Sequence, residues 1–562
     1  MPRIRALSRF LSAVATAAAL AACDAGPTID PGDVTIFTGP RFWTGEPEAP
    51  YVAGLLVSRG RIAAVLTDEE VRREAALGGT IVQLPGKVAV PGLVDAHAHL
   101  LGYGLAARRA DLVGARTLEE TLARVSAHAA AHPKDRWVLG RGWDQNDWPG
   151  KAWPDADRLE EAVPGRPSAL TRVDGHALWL NRTALAAAGI GTGTPDPAGG
   201  AILRDAAGRP TGILIDAATS VVEDIVPPPD ERQIEDALEL AGRRLASLGL
   251  TGVHDMGMTG DVWRALQRLS EQGRFPLRVH AYAGAGTDLA RQHLRTGPVE
   301  TGRLKLTGIK LYADGALGSR GARLLAPYED QHETHGLWVT PPDELRRLTA
   351  EAAKAGLQPA IHAIGDAANH AALDLLEELA AEDPALLQLR PRIEHVQILD
   401  PADLPRLAEL GVVASMQPTH ATSDMPWAEE RLGPDRLAGA YGWRRVLDSG
   451  ALLAFGSDFP VESADPRLGL YAAVTRQDAE GRPAGGWLPE ERLTAREALD
   501  AFTIGAATAV GEENEAGRIR VGSRCDLTVF AADPLKLSAE RLREIEVAAV
   551  VVGGETVDLE PR

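Results

Sequence analysis

Only two cysteines, Cys23 and Cys525, occur in 562 residues. Two are too few for a disulfide framework, so stability has to come from core packing and, where ligands allow, from metal. The body of the chain also lacks any basic run: 59 Lys and Arg stand against 78 Asp and Glu, a formal net charge of −19. A surface of that sign repels phosphate backbones, and no nucleic-acid-binding motif offsets it, so nucleic acid is not an expected partner. The acidity says little about substrate, because a metal site is locally positive on a negative protein. Past the N-terminal segment no apolar stretch reaches membrane-spanning length, and no internal repeat or long low-complexity run occurs. What is present, 45% hydrophobic and 24% charged residues, is an ordinary globular composition. The length calls for more than one structural unit.

Arg3, Arg5 and Arg9 precede an Ala-rich run from Phe10 to Ala22, the layout of a secretory signal peptide. The run ends Leu20-Ala21-Ala22-Cys23, which resembles a bacterial lipobox. Residues 1–22 are therefore expected to be cleaved, Cys23 to be lipidated, and 23–33 to serve as a tether. That places the protein in the periplasm, touching the membrane only through its lipid, and leaves Cys525 without a disulfide partner.

Residues 34–88 and 505–562 share a β-rich texture. VTIF starts at Val34, and AGLLVSRGRIAAVL at Ala53 has Arg59-Gly60 where a hairpin would turn. CDLTVFAADP from Cys525 and VAAVVVGGETVDL from Val547 repeat the pattern. Together they predict one small composite β domain. Between them, over 89–504, short apolar strands alternate with helical stretches such as PDELRRLTAEAAKAG. Eight strands are expected, starting at Leu93, Thr251, Leu277, Thr307, Gln358, Pro391, Val412 and Leu452. The fold class is thus α/β, a (β/α)8 TIM-like barrel. Residues 101–230 are too long for one connection and read as an inserted subdomain over the barrel mouth, with RWVLGRGW and SALTRVDGH as strands.

His97-Ala98-His99 closes the apolar run VAVPGLVDAHAH. Residues two apart on a strand share a face, so both imidazoles can reach one ion. His254 with Asp255, Lys310, His362, His395 and Asp458 end other strands in the same manner. Singly each has a plain alternative: a Lys–carboxylate pair, a hydrogen-bonded core histidine, a helix cap. Barrel closure would gather all these strand ends around one axis.

The strings PGLVDAHAH, GIKLYADGALGSR, HAIGD, RIEHVQIL, SMQPTH and FGSDFPVE, with GWDQNDW and RVDGHALWLN in the insert, resemble the amidohydrolase superfamily. The match is to its amidohydrolase 3 branch, which includes N-substituted formamide deformylase, and it runs from about Asp33 to the C-terminus. The resemblance implies one or two divalent ions, zinc being favoured by imidazole ligands. His97 and His99 would hold the first ion, and His362 and His395 the second. Lys310 would bridge the two as a carboxylated lysine, and Asp458 would touch the first ion and the catalytic water. Such an ion lowers the pKa of water from about 15.7 to roughly 7, and Asp458 would relay the proton to the leaving group. His176, in the insert, is the candidate to polarise the scissile carbonyl or, equally, to fix the insert. Asp314, Ser319 and Arg320 either shape the substrate pocket or serve a cap and an ion pair. His420 in SMQPTH faces the mouth without a metal role.

The implied activity is hydrolysis of an amide or formamide-like C–N bond in a small molecule. A deaminase or an ester, lactone or cyclic-amide hydrolase would use the same centre. A non-catalytic lipid-anchored binding protein would have lost some ligands, and none is missing. A regulator of exoenzyme production finds no supporting motif. The sequence leaves room for a homodimer.

Overall fold

The computed structural model describes residues 34–76, 80–172, 177–197, 200–223 and 225–559. The chain divides into two compact units, one comprising residues up to Gly102 and from Leu238 onward, the other Tyr103–Ala237.

The first unit holds eight parallel strands paired in chain order: β1 Leu93–Ala98, β2 Leu250–Met258, β3 Arg278–Gly284, β4 Leu304–Tyr312, β5 Gln358–Ala363, β6 Arg392–His395, β7 Val413–Met416 and β8 Leu452–Phe455. Their apolar runs suit strands covered on both faces. Helices such as Pro342–Lys354 return the chain between them. That helix buries Leu345, Thr349 and Ala352 on one stripe, with Asp343 and Glu344 in its first turn and Lys354 in its last, each sign matching the helix dipole. This is the TIM-like barrel expected from the strand pattern.

The barrel closes just past β8. Ala98 and Phe459 form a parallel bridge, and the Asp458 N–H donates to His97 O at 2.8 Å and the His99 N–H to Phe459 O at 3.0 Å. The Asp95 carboxylate accepts from the backbone N–H of His97 (3.0 Å) and of Ser457 (3.1 Å) and from the Ser457 hydroxyl (2.6 Å). Gly456 is required here, since a Cβ would lie 2.4 Å from His97 N. The seam therefore sets β1 against the segment that carries Asp458.

Two further sheets lie in the same unit. One orders Arg61–Leu66, Gly54–Ser58, Val34–Thr38 and Thr80–Gln83; the other orders Glu555–Thr556, Val547–Val552, Leu527–Phe530, Val88–Pro91, Arg41–Trp43 and Tyr51–Val52. Both ends of the chain thus enter the second sheet, and Phe37, Val57 and Ile62 share a core with Phe42, Val529 and Val551. The Arg59-Gly60 turn has positive φ at both residues (49° and 73°), as a two-residue hairpin loop demands.

The second unit is built on a six-stranded sheet that includes Val138–Trp143 and Ser168–Arg172. Trp143, Trp148 and Trp179 pack together with centroids 5.9 to 6.3 Å apart. Each indole N–H reaches a backbone carbonyl, of Leu170, Ala115 and Asp155 respectively, which satisfies the polar end of a buried aromatic.

Candidate metal centre

His97 lies on β1 and His99 just beyond it. His97 Nδ1 is 2.6 Å from Glu394 Oε2, and His99 Nδ1 is 2.8 Å from the carbonyl of Met256. Both partners only accept, so each Nδ1 carries the proton and, in the neutral ring, Nε2 is left as a lone pair; burial lowers the His99 pKa, but the facing Asp458 outweighs it and raises it above the ordinary value. Those lone pairs converge on Asp458 Oδ1, at 2.9 Å from His99 and 3.4 Å from His97. The carboxylate oxygen is buried and has no well-directed hydrogen-bond donor. Acceptors facing acceptors repel unless a cation sits among them, so this donor set fits a divalent ion. Despite its burial, Asp458 stays below the ordinary carboxylate range, which requires positive charge on the side of His97 and His99, carried by a proton or by an ion.

Lys310, on β4, brings Nζ within 3.3 Å of His97 Nε2. Burial pushes its ammonium down to about 8, so the neutral amine, the form that reacts with carbon dioxide, is accessible near neutral pH. His362 at the end of β5 and His395 at the end of β6 have ring centroids 4.5 Å apart, and His395 is 4.8 Å from His97. His395 Nδ1 meets Gln417 Oε1 at 2.8 Å, while the Gln417 amide donates to Ser415 O at 3.1 Å. That fixes the glutamine so that its oxygen faces the ring and leaves His395 Nε2 unprotonated. His362 Nε2 is buried without a hydrogen-bond partner. Burial, reinforced by Lys310, lowers His97 to about 4 and His362 to about 3, which keeps both in the neutral form that binds metal.

His395 and Asp458 have φ of +80° and +60°, conformations sparsely populated for non-glycine residues. Each costs on the order of 1–3 kcal/mol, and such strain collects at functional sites.

His97, His99, Lys310, His362, His395 and Asp458 are thus brought to one end of the barrel. Other candidates lie elsewhere or are otherwise engaged. Arg320 pairs with Asp330 at 2.7 Å. Asp314, pushed up to about 7 by burial, accepts backbone N–H bonds from Arg323, Ile364 and Gly365 and comes within 3.6 Å of His362 Nε2. His254 accepts from Arg392 inside the barrel, and Asp255 accepts from the Leu100 N–H. Cys23 and His176 lie outside the described residues.

Several contributors are absent from the sequence reading. Glu394 orients His97 and is itself held by Arg392 at 2.6 Å, both fully buried. Every Arg392 N–H finds an acceptor among Glu394, His254, Tyr282, Ala96 O and Ser415. A readable signal existed, since two opposite charges two apart in a buried strand must face inward as a pair. Gln417 and Asp95 carried no such signal. His420 Nε2 lies 3.6 Å from Asp458 Oδ2.

The sequence profile of the amidohydrolase family matches residues 80–558. YtcJ of Bacillus subtilis (strain 168) is 34% identical over 85% of this chain and 90% of its own. The N-substituted formamide deformylase of Arthrobacter pascens is 31% identical over 89% of this chain and 94% of its own. The crystal structure of an uncharacterized metal-dependent hydrolase from Pyrococcus furiosus superposes with a TM-score of 0.76 at 31% identity, covering 90% of this chain and all of that one.

Proposed function

Because the chain belongs to the amidohydrolase family, we propose that it hydrolyses the C–N bond of an N-substituted amide or formamide, releasing a carboxylate and an amine. The observation that carries this reading is Asp458. It is the one carboxylate that both β1 histidines face, with Oδ1 toward His97 and His99 and Oδ2 turned away from them toward His420.

The ion we place among His97, His99 and Asp458, zinc by its imidazole-rich ligands, supplies Lewis acidity, acidifying water and polarising a carbonyl. The chain's own residues do the rest. Asp458, whose pKa lies below the ordinary carboxylate range, accepts the proton of the attacking water and returns it to the departing nitrogen. An amine anion is too poor a leaving group to go unprotonated, so that return step is required. Glu394 holds the His97 ring in the tautomer that presents Nε2, and Met256 O does the same for His99. The family resemblance would have His362 and His395, both neutral and buried, hold a second ion. We further assign Cys23 as a lipid attachment point that keeps the enzyme at the periplasmic membrane face, which a Cys23→Ser variant tests by loss of fatty-acid labelling.

The deciding experiment is a screen of the zinc- and manganese-loaded enzyme over N-formyl amines, N-acyl amino acids, cyclic amides, esters and aminopurines. Turnover of the formyl or acyl amines is expected. Turnover of only esters or aminopurines would replace the C–N amide assignment with an esterase or deaminase. Ligand binding without turnover of any class would identify a non-catalytic binding protein.

A further inference from the structure

We propose that His420 completes a second metal-ligating set with His395 and Asp458, so that Asp458 joins two ions through its two oxygens. The inference rests on the metal-dependent reading above and differs from the ligand pair, His362 with His395, that family resemblance implies for the second ion.

Two trios have ligating atoms that all lie within 4.8 Å of one another: His97, His99 and Asp458, and His395, His420 and Asp458. Among the described residues His362 enters neither, and its Nε2 is turned toward Asp314 at 3.6 Å. His420 follows β7 in the short helix Pro418–Asp424, where it is buried along with its neighbours on either side. Its ring stacks on His395, with centroids 5.7 Å apart and planes inclined by 14°. Its Nε2 is buried with no hydrogen-bond partner and points at Asp458 Oδ2, 3.6 Å away.

The chemistry of this trio matches that of the first. His395 spends its Nδ1 proton on Gln417, so its Nε2 offers a lone pair. Asp458 offers an oxygen that the β1 histidines do not use. A buried imidazole nitrogen left unpaired keeps the full desolvation penalty of its lone pair, and a shared cation would remove it. A carboxylate that presents one oxygen to each of two imidazole pairs is suited to ions about 3.5–4 Å apart. The alternative, a protonated His420 in a simple ion pair with Asp458, would need no metal and is separated by the test.

Metal-free, full-length protein is titrated with zinc against a chromophoric chelator, and bound zinc is counted after desalting. Wild type should bind two ions per chain. His420→Ala should keep the tighter site and weaken the other by more than the roughly 10- to 100-fold that loss of an orienting outer-shell partner costs. His420→Cys, loaded with cadmium, should show a thiolate-to-cadmium charge-transfer band. Circular dichroism establishes that each variant is folded, and the cysteine variant carries the test should the alanine variant be unstable. Two zinc sites of unchanged affinity in His420→Ala, a wild type that binds a single ion, or a folded, cadmium-saturated His420→Cys without the band would overturn the proposal. A wild type that hydrolyses substrate with one ion removes only this inference, whereas one that binds none removes the proposed function as well.

Discussion

The barrel holds two populations of histidine. His254 and His280 lie within its interior, where His254 Nδ1 takes an N–H of Arg392 at 3.0 Å. His280 meets Thr307 Oγ1 at 2.9 Å and Glu512 Oε2 at 3.2 Å. At the strand ends, His97, His99 and His395 each commit Nδ1 to a carboxylate, carbonyl or amide oxygen, and the Nε2 atoms of His97 and His99 face the Asp458 carboxylate. Donor against acceptor is a structural solution that is complete within the protein. Acceptor against acceptor is incomplete, and it is the pattern that distinguishes a ligand from a core residue of the same type and burial.

The largest expected break in that contrast is Asp458→Asn. It keeps the shape but removes the proton acceptor, and turnover should fall by about 10³-fold with the fold retained; near-normal kcat would remove Asp458 from the proton relay. An interior change, His280→Gln, should leave kcat unaffected under the same assay. Glu394→Gln should come next. It spares the volume beside Arg392 but loses the charge that orients His97, so zinc affinity by chelator competition should drop about 10- to 100-fold. Affinity equal to wild type would mean that the His97 ring needs no such support.

A smaller effect sharpens the interior side. Glu512 faces His280, Lys305 and Arg524, and Glu512→Gln should lower stability by about 1–3 kcal/mol with turnover per folded molecule unchanged. Loss of metal instead of stability would join the two populations into one functional unit.

Acid should report the strand-end histidines directly. In the folded, metal-free protein His97 titrates near 4 and His362 near 3, below the ordinary value of about 6.5. The unfolded chain therefore binds more protons over that range, and stability present above pH 6.5 is lost as the pH falls through the folded values. Each such histidine contributes a slope of about 1.4 kcal/mol per pH unit. Urea denaturation of metal-free His362→Gln between pH 6 and 4 should show a shallower slope than wild type, and equal slopes would count against a neutral, buried His362.

All eight barrel strands were legible because a buried parallel strand is a short apolar run bounded by turns, and each run carries its strand within itself. Helix Pro342–Lys354 was legible from its stripe and its end charges. The Arg59-Gly60 hairpin was legible because two residues between apolar runs have few backbone solutions. Less legible were Asp95 and Gly456, whose roles exist only across the seam between the first and last strands. Glu394 was legible only as one half of a pair with Arg392, two residues away on the same face of β6; its contact with His97 exists only across the barrel. His420 had no strand-end position to recommend it.

Chain order and local pattern alone determined the residue types offered as ligands, the strands that carry them and the family they resemble. Tertiary structure decided which nitrogen of each histidine is free, because that depends on a partner more than a hundred residues away: Glu394 for His97, Met256 for His99. It also decided that His395, the last residue of β6, and Asp458, three residues past β8, adopt φ of +80° and +60°. Local pattern does not call for such backbone at either position, and only a closed barrel supplies the surrounding contacts that hold it.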